Sequence, residues 1–136
     1  MKSKIKTPKK RIEEFNKILT YLNKLNYPVV VEGKRDTFAL RNLGYTGNIV
    51  ELNDGRSVLS TVELLAHKLG VSGNFVIMTD WDRTGGRLAK QLKEYGESSD
   101  LLPDLSIRRN LALLCSKDIN CIEELPTMVR SLQDKA

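Results

Sequence analysis

Two stretches decide the fold of this chain, VVVEGK at residues 29–34 and MTDWDRTG at residues 78–85. In each of them an apolar run stops abruptly at carboxylates and glycine. This pattern is typical of a buried parallel strand that delivers acidic side chains to the edge of a sheet. If the fold brings Glu32, Asp80 and Asp82 together, their oxygens form a site of the kind that Mg²⁺ prefers.

Working outward from these stretches, helical and strand patterns alternate. Strands are predicted at 29–32, 48–52 and 75–79, with helical patterns before, between and after them. This alternation predicts an α/β fold with right-handed crossovers and a parallel sheet flanked by helices. Glu32 and Asp80 can converge only if the first and third strands are neighbours, so we expect the local strand order 2-1-3. Ligands of such sheets bind beyond the carboxyl ends of the strands.

Basic residues accompany both acidic stretches. Lys34 follows the first strand closely, where it can neutralise a phosphate. The helix predicted to start near Gly86 aligns Arg83, Arg87 and Lys90 on one side, and we call these three residues the basic ridge. The ridge can follow a nucleic-acid backbone, although an amphipathic helix also carries such a face when it is simply solvated.

Trp81 lies between the two aspartates of the second stretch and should face away from them. The sequence leaves two roles open for it. The indole could stack on a nucleobase, or it could pack under the neighbouring helix.

The predicted organisation has three parts. Residues 1–27 form a basic N-terminal tail and helix, residues 28–97 form the core of the domain, and residues 98–136 form a helical extension packed on that core. Whether the segment beyond Pro103 contributes a fourth strand stays open. The net charge is +5, yet residues 1–11 hold six basic residues and no acid. The basic tail therefore either adds affinity for a polyanion or is a solubilising terminus.

Composition excludes several classes of protein. No segment is long and apolar enough to span a membrane, and the N-terminus lacks the apolar region of a signal peptide. Cys115 and Cys121 do not follow a disulfide or metal-binding spacing, which favours reduced thiols in a cytoplasmic protein. With His67 as the only histidine, a zinc site or a histidine-based catalytic triad is not expected.

The same residues carry a family resemblance. Glu32-Gly33-Lys34 followed by Asp80-Trp81-Asp82-Arg83-Thr84-Gly85 resembles the paired signature of the Toprim domain. Topoisomerases, bacterial-type primases, OLD-family nucleases, RecR recombination proteins and a ribonuclease that matures 5S ribosomal RNA share this domain. The resemblance covers about residues 28–97. It implies a compact, Rossmann-like domain that binds Mg²⁺ and acts on phosphodiesters, with Glu32 as general acid or base and with Asp80 and Asp82 as metal ligands.

Within this superfamily the chain is most similar to the 5S-maturing ribonuclease and to small stand-alone proteins of archaeal type. The similarity lies in residues 31–37, in Asn53-x-Gly55-x-Ser57 and in residues 123–126. Thr84 stands where topoisomerases have a third acid, and Gly86 stands where the ribonuclease-like members usually have Glu. The chain is also too short for the gate of a topoisomerase or the accessory regions of a primase.

These observations lead to three functional hypotheses. The first is a Mg²⁺-dependent nuclease, a hydrolase acting on RNA or DNA, for which Mn²⁺ could replace Mg²⁺. Glu32 and Lys34 are its candidate catalytic residues. Its candidate phosphate contacts are Lys34 and the basic ridge, and its candidate metal ligands are Glu32, Asp80 and Asp82. The second is a non-catalytic module that binds nucleic acid or nucleotide through Mg²⁺. The third is an accessory subunit whose protein partner supplies the catalytic domain.

Overall fold

A computed structural model describes residues 6–136 of the chain. Helices and strands alternate through this part, as the sequence predicts. The elements are α1 (Pro8–Leu25), β1 (Val29–Val31), α2 (Lys34–Asn42), β2 (Ile49–Glu51), α3 (Val58–Leu69), β3 (Asn74–Ile77), α4 (Arg83–Ser98), β4 (Leu102–Asp104), α5 (Ser106–Cys115), a 3₁₀ turn (Ile122–Glu124) and α6 (Leu125–Lys135). Within residues 6–136 no helix has both the length and the apolar character needed to cross a membrane.

The strands form one parallel sheet in the order β2-β1-β3-β4. Val29 of β1 lies beside Ile49 of β2 on one side and beside Val76 of β3 on the other. The predicted α/β class and the local order 2-1-3 are therefore confirmed. β4 adds a fourth strand next to β3, where Pro103 pairs with Phe75. A proline is tolerated there because β4 is an edge strand.

The sheet extends beyond the boundary predicted at residue 97, because β4 lies in the segment 98–136. That segment is therefore not entirely helical. The strand is only three residues long and contains a proline, so it lacks the apolar alternation by which a strand is recognised in a sequence. Its neighbour β3 holds it in place, beginning with the N–H of Leu102, which donates to the carbonyl of Gly73 at 2.8 Å.

Helices cover both faces of the sheet. Val29 and Val31 point into a core formed with α1, α2, α5 and α6, whereas Val30 points into a second core formed with α3 and α4. The three valines are fully buried, because successive side chains of a strand face opposite ways and both faces are covered. This two-sided burial explains why the first stretch is continuously apolar.

Hydroxyl side chains cap the starts of α1 and α3. The hydroxyl of Thr7 accepts a hydrogen bond from the N–H of Lys10, and that of Ser57 accepts one from the N–H of Ser60. The start predicted for α4 near Gly86 is wrong, since the helix begins at Arg83. Gly85 and Gly86 therefore both lie inside the helix.

Gly85 lets the first turn of α4 pack directly on the backbone of the second acidic stretch. A Cβ atom at this position would lie 1.9 Å from the carbonyl oxygen of Asp80, much closer than any contact allows. At Gly86 the nearest atom would be 3.9 Å away, an ordinary contact distance. Of these two adjacent glycines, Gly85 alone is required by packing.

We predict opposite effects of alanine at these two positions. Gly85→Ala should lower the free energy of unfolding by about 3 kcal/mol, because the helix and the Asp80 backbone must move apart. Gly86→Ala should raise it by about 0.5–1 kcal/mol through better helix propensity. Urea unfolding of both variants measures the difference, and equal effects would contradict the packing described here.

Candidate metal centre

An open cleft of about 610 Å³ lies at the carboxyl ends of the two central strands. Its lining includes Glu32, Lys34, Asp36 and Asp80, and we call it the acidic cleft. The acidic cleft lies at a switch point of the sheet. The chain runs from β1 to β2 on one side of this point and from β3 to β4 on the other side. Open α/β sheets bind their ligands at such points.

Glu32 and Asp80 are in direct contact in this cleft. The N–H of Asp80 donates to Oε2 of Glu32 at 2.8 Å. Oδ1 of Asp80 accepts a hydrogen bond at 2.8 Å from the N–H of Ile122, in the 3₁₀ turn. The structure therefore brings together the first two of the three predicted ligands.

Asp82 has a different position, as the N-cap of α4. Its Oδ1 accepts a hydrogen bond from the N–H of Gly85 at 2.7 Å, which satisfies one of the free donors at the helix start. Within residues 6–136 no group of three or more His, Cys, Asp or Glu side chains is arranged to hold a metal ion. Coordination by all three acids therefore stays a prediction.

The electrostatics of the cleft favour a bound proton or a bound cation. Burial raises the pKa of Glu32 to about 6, and the negative charges of Asp80 and Asp82 add to this rise. Burial also raises the pKa of Asp80. The carboxylates of Glu32 and Asp80 repel each other when both are ionised, and a shared positive charge relieves that repulsion.

Asp36 is a further acid of the cleft that is not among the predicted metal ligands. Its side chain is only 7% exposed, and its Oδ2 accepts a hydrogen bond from the N–H of Gly33 at 3.1 Å. Burial raises the pKa of Asp36 to about 6, and the charge of Asp80 contributes. An acid at the third position of a helix that follows glycine is a usual capping signal. That signal could have placed Asp36 beside the strand end.

Arg108 of α5 was also underrated by the sequence interpretation. Its Nε donates to the carbonyl of Thr79 at 3.0 Å, and its Nη2 donates to the carbonyl of Asp80 at 2.7 Å. Burial lowers the pKa of this guanidinium, and the nearby carboxylates of Asp80, Asp82 and Glu32 oppose the shift. Arg108 therefore holds the backbone that carries the acids and places a positive charge behind them.

The predicted phosphate contacts lie in two different places. Lys34 is exposed at the start of α2 and lines the acidic cleft. The basic ridge is exposed on α4, forms no ion pair with any residue in 6–136, and does not line the cleft. Lys34 and the ridge thus do not converge on one site, and their contacts with phosphate stay predictions.

Trp81 packs against the C-terminal part of the chain and is partly buried. Its Nε1 donates to the carbonyl of Ile119 at 2.8 Å, and its backbone N–H donates to the carbonyl of Asn120 at 3.0 Å. The sequence left open whether the indole stacks on a nucleobase or packs within the protein. The structure supports packing, because the indole lies against the segment before the 3₁₀ turn.

The predicted basic tail falls only partly within the described part of the chain. Residues 1–5 lie outside it. Lys9, Lys10 and Arg11 belong to α1, and Nη2 of Arg11 donates to the carbonyl of Leu114 at 3.0 Å. Arg11 is thus part of the packing between α1 and α5.

The comparisons with known proteins agree with this geometry. The sequence model of the Toprim domain matches residues 28–111. A UPF0292 protein of Methanosarcina acetivorans is 40% identical over 125 residues, which cover 92% of this chain and 84% of that protein. This chain is a Toprim-domain protein of the UPF0292 family. The predicted resemblance to the Toprim superfamily and to its small archaeal members is thereby confirmed.

Two further comparisons agree with this family assignment. A UPF0292 protein of Pyrococcus furiosus is 38% identical over 121 residues, which cover 89% of this chain and 88% of that protein. The solved structure of a protein from Aquifex aeolicus superposes with a TM-score of 0.68 at 27% identity, covering 81% of this chain and 96% of that one. The Toprim match also reaches beyond residue 97 and includes β4 and part of α5.

Toprim domains typically bind Mg²⁺ in nucleic-acid enzymes, and the donors of this Toprim protein fit that ion. Glu32 and Asp80 offer hard oxygen ligands at the ends of neighbouring strands. Mg²⁺ commonly uses one or two protein carboxylates together with water and substrate phosphate. The mutual repulsion of the two acids gives a physical reason for a cation between them.

We predict that Arg108 stabilises the acidic cleft and that its sequence neighbour does not. Arg108→Ala should lower the free energy of unfolding by about 2 kcal/mol, because two carbonyls lose a charged donor. Arg109→Ala should change it by less than about 0.5 kcal/mol, since Arg109 is exposed. Urea unfolding compares the two variants. Equal losses in the free energy of unfolding would contradict a stabilising role of the hydrogen bonds of Arg108.

We predict that Asp36 makes stability depend on pH in the metal-free protein. Because its pKa is raised from 3.8 to about 6, the stabilisation by its bound proton is complete below about pH 4 and is lost as the pH rises through 6. The side chain of Asp36→Asn cannot ionise. The free energy of unfolding of this variant should therefore exceed that of the wild type by about 2 kcal/mol near neutral pH, and by little near pH 4.

Urea unfolding in EDTA at several pH values tests this dependence. Asp134→Asn, at an exposed position of α6, is the matched control and should follow the wild type. A constant difference between Asp36→Asn and the wild type across the pH range would contradict the prediction.

Proposed function

We propose that this Toprim protein is a Mg²⁺-dependent nuclease that hydrolyses phosphodiester bonds of RNA or DNA. The observation that carries the proposal is the contact between Glu32 and Asp80 at the switch point of the sheet. Lys34 lines the same cleft and supplies a positive charge next to the acids. A pair of hard acidic ligands beside a lysine suits the binding of a metal ion together with a phosphate.

In this proposal Glu32, Asp80 and Asp82 would hold the ion, which would supply positive charge to the non-bridging oxygens of the phosphate. Asp82 uses one carboxylate oxygen to cap α4, so it would take part with the other. Arg108 keeps the Asp80 backbone in place through its two hydrogen bonds.

Glu32 is the proton-transfer group of the proposed reaction. Its position at the end of β1, facing the cleft, lets it accept a proton from the attacking water or return one to the leaving oxygen. Lys34 lies one residue beyond Gly33, at the first position of α2, and stabilises the charge that develops on the phosphate.

A second candidate function is a module that binds nucleic acid or nucleotide through Mg²⁺ without cleaving it. Two observations favour it. Asp82 already accepts a hydrogen bond from the N–H of Gly85 at the start of α4. Thr84 occupies the position where topoisomerases have a third acid. A site with fewer free acids can still anchor a phosphate, but it provides less charge for cleavage.

We predict that cleavage depends on the two contacting acids. Labelled RNA and DNA of single-stranded and structured form are incubated with Mg²⁺ or Mn²⁺. Glu32→Gln and Asp80→Asn should each lower the rate by at least about 100-fold. Both variants should also lose the rise in melting temperature that Mg²⁺ produces in the wild type, because that rise requires the ligands.

Glu63→Gln, at an exposed position of α3, is the control and should keep both activity and the response to Mg²⁺. Cleavage that persists in Glu32→Gln and Asp80→Asn would overturn the nuclease proposal. Binding that depends on Mg²⁺ and on both acids, without any cleavage by the wild type, would support the second candidate.

A further inference from the structure

Phe38 is an aromatic side chain in an unusual position on the surface. It lies on α2 with 73% of its surface exposed, although an aromatic ring of this size is normally covered. It borders a cleft of about 380 Å³ between α2 and α6, whose lining includes Arg35, Pro126 and Arg130. We call this cleft the α2–α6 groove.

The charges of the α2–α6 groove suit an anion. Arg130 is exposed and forms no ion pair with any residue in 6–136. Arg35 pairs with Glu123 at 3.5 Å, but both side chains are largely exposed. Such a surface pair is weak, so Arg35 can exchange it for another anion at little cost. The groove thus combines an exposed ring with two accessible guanidinium groups.

The groove continues directly into the acidic cleft. Arg35 and Glu123 line both of them, and Lys34 of the acidic cleft precedes Arg35 in the chain. A polymer with a phosphate in the acidic cleft can therefore reach the groove with its next residues. An isolated aromatic patch elsewhere on the surface would not have this continuity.

We propose that the α2–α6 groove binds an unpaired nucleotide of the nucleic acid whose adjoining phosphate enters the acidic cleft. The ring of Phe38 stacks on the base, and Arg35 and Arg130 contact the flanking phosphates. In a duplex the faces of the bases are covered by their neighbours, so an exposed ring selects unpaired bases. This inference rests on the proposed function and adds to it a preference for single-stranded substrate or single-stranded ends.

The test uses the full-length protein and labelled oligonucleotides of about 12 residues, as single-stranded RNA, single-stranded DNA and blunt duplex. Affinity is measured by fluorescence anisotropy with Mg²⁺ and with EDTA. A 2-aminopurine base in the single strands reports stacking through quenching of its fluorescence. The variants are Phe38→Ala, Phe38→Trp and the control Leu113→Ala, an apolar residue of α5 that is 77% exposed.

We expect Phe38→Ala to weaken single-strand binding about 5- to 100-fold and to abolish the quenching, since one base loses its stacking partner. Phe38→Trp should keep both properties, and Leu113→Ala should match the wild type. Duplex binding should change in none of them. Because Phe38 is exposed, its replacement leaves the core intact, and the melting temperature verifies this.

Three outcomes would overturn the inference. Phe38→Ala could bind single strands as the wild type does, it could weaken duplex and single strand equally, or it could abolish self-association of the protein while leaving oligonucleotide binding unchanged. The last result would make the groove an interface between two copies.

The same samples separate this inference from the proposed function. Stacking at Phe38 without cleavage by the wild type would overturn only the nuclease. Cleavage that requires Glu32, with no effect of Phe38→Ala, would overturn only the groove.

Discussion

The contact between Glu32 and Asp80 at neighbouring strand ends is the constraint on which the rest of the site depends. Two acids that arrive from neighbouring parallel strands repel each other, and burial strengthens that repulsion. The structure compensates it with backbone donors, as the N–H of Asp80 donates to Glu32 and the N–H of Ile122 donates to Asp80. The repulsion that remains favours a cation between the two acids, and the proposed phosphodiester chemistry rests on this.

The C-terminal part of the chain takes part in this arrangement. α5 supplies Arg108, which donates to the carbonyl of Asp80, and the segment before the 3₁₀ turn receives the indole of Trp81. Residues beyond the second acidic stretch thus hold its backbone from two sides. The proposed chemistry would therefore require α5 and the 3₁₀ turn in place, in addition to the strands that carry the acids.

Sequence reasoning identified the acids of the strand ends but missed their supporting residues. Glu32 and Asp80 follow apolar runs, a local signal, and the strand order that joins them follows from the need for convergence. Asp36 is part of a helix start and becomes part of the cleft only because α2 begins where β1 ends. Arg108 lies 28 residues after Asp80, and no periodicity within one helix indicates which distant carbonyl its guanidinium reaches.

The sequence by itself determined the alternation of helices and strands, the order of the first three strands and the acids that end two of them. The alternation and the terminal acids depend on side-chain periodicity and on turn residues, which are local properties, and the strand order follows from the requirement that Glu32 and Asp80 converge. Only the tertiary structure decided that Asp82 caps α4, that β4 joins the sheet, and that Phe38 stands exposed beside the acidic cleft. Each of these depends on how separate elements pack, and packing is decided by distances between residues that are far apart in the chain.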